Sequence, residues 1–270
     1  REAVVWGTTV MELLRFGDLR VDGRRPDQLR RISIDIDVVP NSDGSVLFRQ
    51  GNTFVLASVC GPNEPTGSSG LGASEGRSGR MGVSVSVVAP SSGTVDGRQG
   101  HTRDIEDIVA TTLRGALYLE RYPFSHVSVS LDVRQAAGSV QTVCINAALA
   151  ACMVAGIDVT RPVVGVSVGV VQRDGSTSAP GDLRDSVVLH DLCYDEQGSS
   201  TRWISGGFTP PTEASDKVDA AEAKVIGLTM GSCAMPANVL VDLLGAAGAV
   251  ALDTWRTIRQ CLSVTLATAQ

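Results

Sequence analysis

The chain has 270 residues and a formal net charge of −6, with 43% apolar residues, 4% aromatic residues and 29 glycines. That size suits one large domain or two intimately packed halves, and so few aromatics require a core of Val, Leu, Ala and Ile packed tightly around glycine. The acidic balance argues against a free-standing nucleic-acid binder, so RNA would be met through a local patch or beside partners that supply positive potential.

Three histidines without paired spacing argue against zinc. Six scattered cysteines, none in a C-x-x-C pair, predict buried free thiols in a reducing compartment. No run of 18 apolar residues occurs, and REAVVWGTTVMELLRFG has neither a basic start nor a cleavage pattern. The expectation is no membrane span and no signal peptide.

Residues 1–16 predict a short helix or a docking arm. Residues 17–31 (GDLRVDGRRPDQLRR) hold Arg24, Arg25, Arg30 and Arg31 and read as a solvated lead-in to the first strand. Ile32–Val39, Ser45–Gln50 and Thr53–Cys60 predict an antiparallel meander joined by turns at Asn41–Gly44 and Gly51-Asn52. A patternless Gly/Ser stretch over 61–80, with Arg77 and Arg80 near its end, suggests a functional loop. A fourth strand over Gly82–Ala89 and a second Gly/Ser-rich loop holding Arg98 follow. Thr102 then reads as an N-cap, with Asp104 and Glu106 in the first turn of a helix running to about Arg121.

From Val127 the small polar and branched apolar residues of VSVSLDVRQ alternate, as in a strand with one buried face. The small-residue turn Ala136–Ser139 leads into Gln141–Ala155, apolar almost all round, a helix buried on most sides. A glycine turn at a helix N-terminus is either an anion site or an ordinary tight β–α connection. The second half repeats the order: strands at Pro162–Val171, Ser186–Tyr194, Arg202–Thr209 and Val225–Ser232, then a long helix from Pro236 to about Ala267. These elements predict an α+β fold with helices packed on the sheets and an internal duplication. Residues 1–19 form an N-terminal arm and 20–270 a single domain, with halves at about 20–158 and 159–270.

Several motifs stand in a distinctive order: Asp22-Gly23-Arg24-Arg25-Pro26-Asp27, Asp43-Gly44-Ser45, Gly51-Asn52-Thr53 and Gly61-Pro62. Gly100-His101-Thr102-Arg103-Asp104-Ile105, Ala137-Gly138-Ser139, Asn146-Ala147-Ala148 and Ala155-Gly156-Ile157 follow. Together, over roughly residues 20–265, they resemble the RNase PH family, which includes bacterial ribonuclease PH and the RNase PH-like ring subunits of the RNA exosome. The likeness is greater to the branch of the archaeal catalytic subunit and its eukaryotic relatives. It implies an RNase PH-like fold with a duplicated βαβα core (ribosomal protein S5 domain 2-like) and assembly into a hexameric ring.

Enzymes of that family shorten RNA from its 3′ end with inorganic phosphate as nucleophile. A doubly charged anion needs cationic side chains and backbone amides, and a carboxylate pair supports a metal or a proton transfer at the leaving oxygen. By resemblance, the first phosphate arginine falls at His101 and the second at Val140. The first carboxylate falls at Asp191 and the second at Gln197. Histidine is mostly neutral at pH 7 and lacks a bidentate fork, and valine donates nothing. Gly138 and Ser139 remain of the phosphate turn, either as phosphate- or RNA-binding groups or as inherited scaffold.

The resemblance thus implies a catalytically inactive ring subunit, with no cofactor and no metal, that serves as structure and channel wall in 3′-to-5′ RNA processing and decay. Its partners would be other RNase PH-like subunits of a hexameric ring, cap proteins and RNA in the central channel, in the nucleus, nucleolus and cytoplasm. Arg77, Arg80, Arg98 and Arg103 either contact RNA phosphates or are solvated surface charge. The alternative is an active phosphate-dependent exoribonuclease with a rearranged site: His101 protonated, Arg103 reoriented, and Asp195 beside Asp191 on a continued strand.

Overall fold

Alternation of branched apolar and small polar residues builds the larger of two main sheets. The computed structural model describes residues 14–15, 19–64, 81–89, 99–172, 186–198, 202–210, 224–231 and 235–269. Most of the expected arm over 1–19 and the loop arginines Arg77, Arg80 and Arg98 lie outside the described residues. A short antiparallel pair, β1 (Leu14–Arg15) and β2 (Leu19–Arg20), precedes the sheet.

That sheet comprises β3 (Ile32–Ile36), β4 (Gly44–Gln50), β5 (Thr53–Asn63), β6 (Gly82–Val88) and β7 (His126–Gln135), in the order β3-β4-β5-β7-β6. All neighbours are antiparallel except β6, which runs parallel to β7. The period of two puts Val46, Phe48, Val55, Ala57, Val59, Val129 and Leu131 on one buried face. Full burial of each large apolar side chain contributes about 1.5–3 kcal/mol.

Helix α1 (Gln99–Ala116) packs on β6, and α2 (Val140–Val154) packs on β4 and β5. Thr102 is not the N-cap of α1, which begins three residues earlier, so Asp104 and Glu106 lie beyond the first turn. Glu106 does different work. Its Oε1 accepts the Val87 N–H at 2.8 Å, and Arg114 donates to the Val83 carbonyl at 3.2 Å, so side chains of α1 occupy backbone groups of the edge strand. The helix ends at Ala116 rather than near Arg121, and a separate 3₁₀ turn covers Leu119–Arg121.

The second sheet holds β8 (Val164–Gln172), β9 (Ser186–His190), β10 (Arg202–Thr209) and β11 (Lys224–Met230), ordered β11-β10-β8-β9 and antiparallel throughout. After β9 comes the short helix α3 (Tyr194–Gly198), and α4 (Ala237–Ala269) closes the chain. By length and composition α4 is apolar enough to cross a membrane. Its Val239, Leu243, Ala247, Val250 and Ala251 instead fill the core of the second sheet, and Ile258 and Leu262 join the core of the first.

Helix α2 is the seam between the halves. It touches β4 and β5 on one side and β8 on another, which explains why Thr142 through Cys152 are all buried. Close approach needs a glycine: a Cβ on Gly165 would lie 2.2 Å from the Thr142 carbonyl oxygen. Asn146 fastens the seam by accepting the Gly165 N–H at 2.7 Å and donating to its carbonyl at 3.2 Å. More than one expected strand is shorter than its sequence suggested: β3 ends at Ile36 rather than Val39, just before the left-handed Asp37 (φ 56). β9 stops at His190 because Asp191 takes a left-handed backbone (φ 53), and Tyr194 begins a helix instead of continuing the strand.

Candidate functional site: a turn and a carboxylate closed by their own chain

The end of β7, the turn 136–139 and the first turn of α2 lie against the segment from His190 to Gln197. Thr53, at the start of β5, supports the turn: its hydroxyl donates to the Gly138 carbonyl at 2.9 Å and accepts the Ala137 N–H at 3.2 Å. Gly138 has φ 98, and a Cβ there would sit 2.3 Å from the Tyr194 backbone nitrogen. The turn and the segment after β9 are therefore in backbone contact.

Ser139, next in line, is 2% exposed and also left-handed (φ 51). Its amide donates to Gln197 Oε1 at 2.9 Å. Its hydroxyl lies 2.6 Å from both the Leu192 carbonyl oxygen and the Ser167 hydroxyl. The two donors that a phosphate turn would offer from this residue are both engaged within the chain. Val140 is half-buried and packs its side chain against the main core.

Asp191 is 3% exposed, and its carboxylate is gripped by Arg30. Arg30 Nε reaches Oδ2 at 2.9 Å, the second guanidinium nitrogen reaches Oδ1 at 2.6 Å, and the Arg30 backbone N–H adds a third bond to Oδ2 at 2.9 Å. Burial alone would raise the Asp191 pKa. The Arg30 hydrogen bonds and charge, with help from Gln50, outweigh it and hold the carboxyl below the usual aspartate range.

Two more arginines complete the clasp. Arg20 Nε bonds Glu196 Oε1 at 2.7 Å, its guanidinium also meets Oε2, and both side chains are fully buried. Arg20 and Arg24 further donate to the Asp191 carbonyl, at 2.9 Å and 3.2 Å. Glu196 in turn accepts the Cys193 N–H at 2.8 Å and so caps α3. His190, whose backbone N–H bonds the Pro26 carbonyl at 2.9 Å, is pushed toward its neutral form by burial.

The segment read as a solvated lead-in is thus the clasp on the site. Its partners lie 161 and 176 residues away in sequence, beyond the reach of a local pattern. The available signal was the run of arginines just before a strand in an acidic chain, set against Asp191, Asp195 and Glu196.

Among the described residues, Asp195 and Asp191 are not brought side by side. Asp195 is exposed on α3, not beside Asp191 on a strand, while Glu196 is the buried acid. Arg103 is exposed on α1, and His101 lies in the first turn of the same helix. Among the described residues, no three His, Cys, Asp or Glu side chains converge as a metal site would require.

A model of the 3′ exoribonuclease family, domain 1, matches residues 28–158. The chain is 39% identical over 203 residues to the exosome complex component Rrp41 of Pyrobaculum arsenaticum, a match covering 73% of this chain and 75% of that protein. It is 38% identical over 160 residues to Rrp41 of Pyrobaculum neutrophilum, covering 57% of this chain and 63% of that protein, so it spans less than two thirds of that relative. The crystal structure of rice Rrp46 superposes with a TM-score of 0.67 at 24% identity, covering 89% of this chain and 98% of that one. At that identity the superposition speaks to the fold.

Proposed function

The chain belongs to the RNase PH family, and on that premise we propose that it is a catalytically inactive, RNase PH-like ring subunit of an RNA exosome. Relatives of this chain carry the name of exosome complex components. The observation that carries the inactive reading is the self-occupied turn: Gln197 takes the Ser139 amide, and the Leu192 carbonyl and Ser167 take its hydroxyl. Val140 adds no charge beside it, and Arg30 fully engages the one matched carboxylate.

Losing one anion-clamping donor costs about a hundred- to thousandfold in rate. Phosphorolysis would need several such groups restored at once. The chain then acts as a structural member and channel wall in 3′-to-5′ RNA processing and decay, in the nucleus, nucleolus and cytoplasm. Its partners are other RNase PH-like chains of a hexameric ring, cap proteins, and RNA in the channel. Arg103, together with Arg77, Arg80 and Arg98, contributes the positive charge on that path.

Affinity purification from the source cell tests the assembly. Five other RNase PH-like chains should co-purify in equal amounts, and their absence would refute the ring assignment. Incubation of the purified chain with RNA and phosphate tests the inactivity, with no nucleoside diphosphate released above background.

A further inference from the structure

Among the described residues, five non-glycine residues adopt a left-handed backbone: Asp37, Asn41, Phe124, Ser139 and Asp191. Four are small polar residues, the kind that tolerate this conformation or bond locally within it. Ser139 is held by Gln197, Ser167 and the Leu192 carbonyl, and Asp191 by the arginine clasp. Phe124 is different: it is bulky, has φ 61, and is 63% exposed. Its ring gains little from burial in this chain, so the fold gives no return for the strained backbone.

The turn that carries Phe124 is rigidly tied. The Ser125 hydroxyl donates to the Tyr122 carbonyl at 2.7 Å, and the Gly82 N–H bonds the Ser125 carbonyl at 2.9 Å. The Met81 and Tyr118 N–H groups bond the carbonyls of Leu119 and Asp158 at 3.1 Å and 3.0 Å. A second aromatic, Tyr118, is 46% exposed on the same tied segment. Rigid aromatic anchors are the side chains that dominate binding where a partner offers a pocket.

The polar groups of the segment choose between partners. Arg121, the only Lys or Arg within 118–126, bonds Asp158 at 3.0 Å, and the Tyr122 hydroxyl donates to the same carboxylate at 2.7 Å. With that guanidinium already paired, the segment offers no uncommitted cation of its own to an RNA phosphate. A surface whose charges are satisfied internally can be covered by protein with less desolvation cost.

We propose that the segment 118–125, led by the Phe124 ring, is a docking anchor that inserts into an apolar socket on another protein subunit of the ring assembly. This inference rests on the ring-subunit reading above.

The test compares wild type, Phe124→Gly and Phe124→Tyr, each alone and co-expressed with the other RNase PH-like ring chains. Glycine accepts φ 61 without strain, so the isolated Phe124→Gly chain should melt at the wild-type temperature or above. Its assembly, followed by mass photometry on dilution, should dissociate at a concentration at least about tenfold higher than wild type. Phe124→Tyr keeps the ring and should assemble like wild type. Unchanged assembly of Phe124→Gly would overturn the proposal. So would a lower melting temperature of the isolated variant, which would make the residue a folding element. Intact assembly with weakened binding of single-stranded RNA would assign the ring to base stacking and overturn it as well. If wild type itself joins no ring chain, the ring-subunit reading fails first and this inference falls with it.

Discussion

Replacing Asp191 by asparagine separates a structural carboxylate from a catalytic one. Asparagine has nearly the same shape and tolerates φ 53, so the backbone is left undisturbed. What disappears is the counter-charge of Arg30, which is only 8% exposed and places its Nε and a second guanidinium nitrogen 2.9 Å and 2.6 Å from the two carboxylate oxygens. Removing one partner of a buried pair costs about 3–5 kcal/mol, a large share of the 5–15 kcal/mol typical of a folded domain. Urea unfolding followed by tryptophan fluorescence measures this directly. The double variant Arg30→Met/Asp191→Asn removes both charges and should recover most of the loss, a coupling well above that of an exposed pair. Asp132→Asn, which breaks the exposed bond to Arg134, is the control and should cost no more than about 1 kcal/mol. An Asp191→Asn penalty as small as that control would refute the clasp.

The same variant should change the acid limb. The folded Asp191 pKa lies below its unfolded value of about 3.8, so its stabilisation is complete above that pH and is lost as pH falls through the folded value. Asp191→Asn should therefore show a shallower loss of stability below about pH 3.8 than wild type does.

Three further outcomes follow from the geometry. Gln197→Ala strips the acceptor from the Ser139 amide and should lower stability by about 1–3 kcal/mol in a thermal melt, with Gln197→Glu losing less because a carboxylate still accepts that bond. Gly165→Ala drives a Cβ to 2.2 Å from the Thr142 carbonyl oxygen and should cost about 1–3 kcal/mol or prevent folding, whereas Gly245→Ala, in α4 with nothing within 4 Å of the new Cβ, should gain about 0.5–1 kcal/mol. Cys144 and Cys152, whose pKa values burial pushes up to about 12, should resist a thiol reagent until urea unfolds the chain, while the exposed Cys60 reacts in the native state.

Local chemistry made the sheets and the seam helix legible. The alternation in β3, β4, β5 and β7 needs only a period of two and one buried face, and α2 announced its burial by being apolar all round. The failures have a common cause. β9 ends at His190 and α3 begins at Tyr194 because Asp191 and Glu196 are turned inward to arginines that precede the first main strand. Likewise, Glu106 looked like a first-turn acid, yet it bonds the edge of β6. Pairings across long sequence separations leave no periodic trace, so the Arg20, Arg24 and Arg30 clasp could be found only in three dimensions.

The self-occupied turn makes one experiment decisive: radiolabelled orthophosphate incubated with 3′-hydroxyl RNA and this chain, assembled with ring partners whose own sites are disabled. The label should remain wholly as orthophosphate, at the level of a reaction without protein. Labelled nucleoside diphosphate accumulating in proportion to the chain would contradict the account, because phosphate would then have displaced Gln197 from the Ser139 amide and found cations that neither His101 nor Val140 provides.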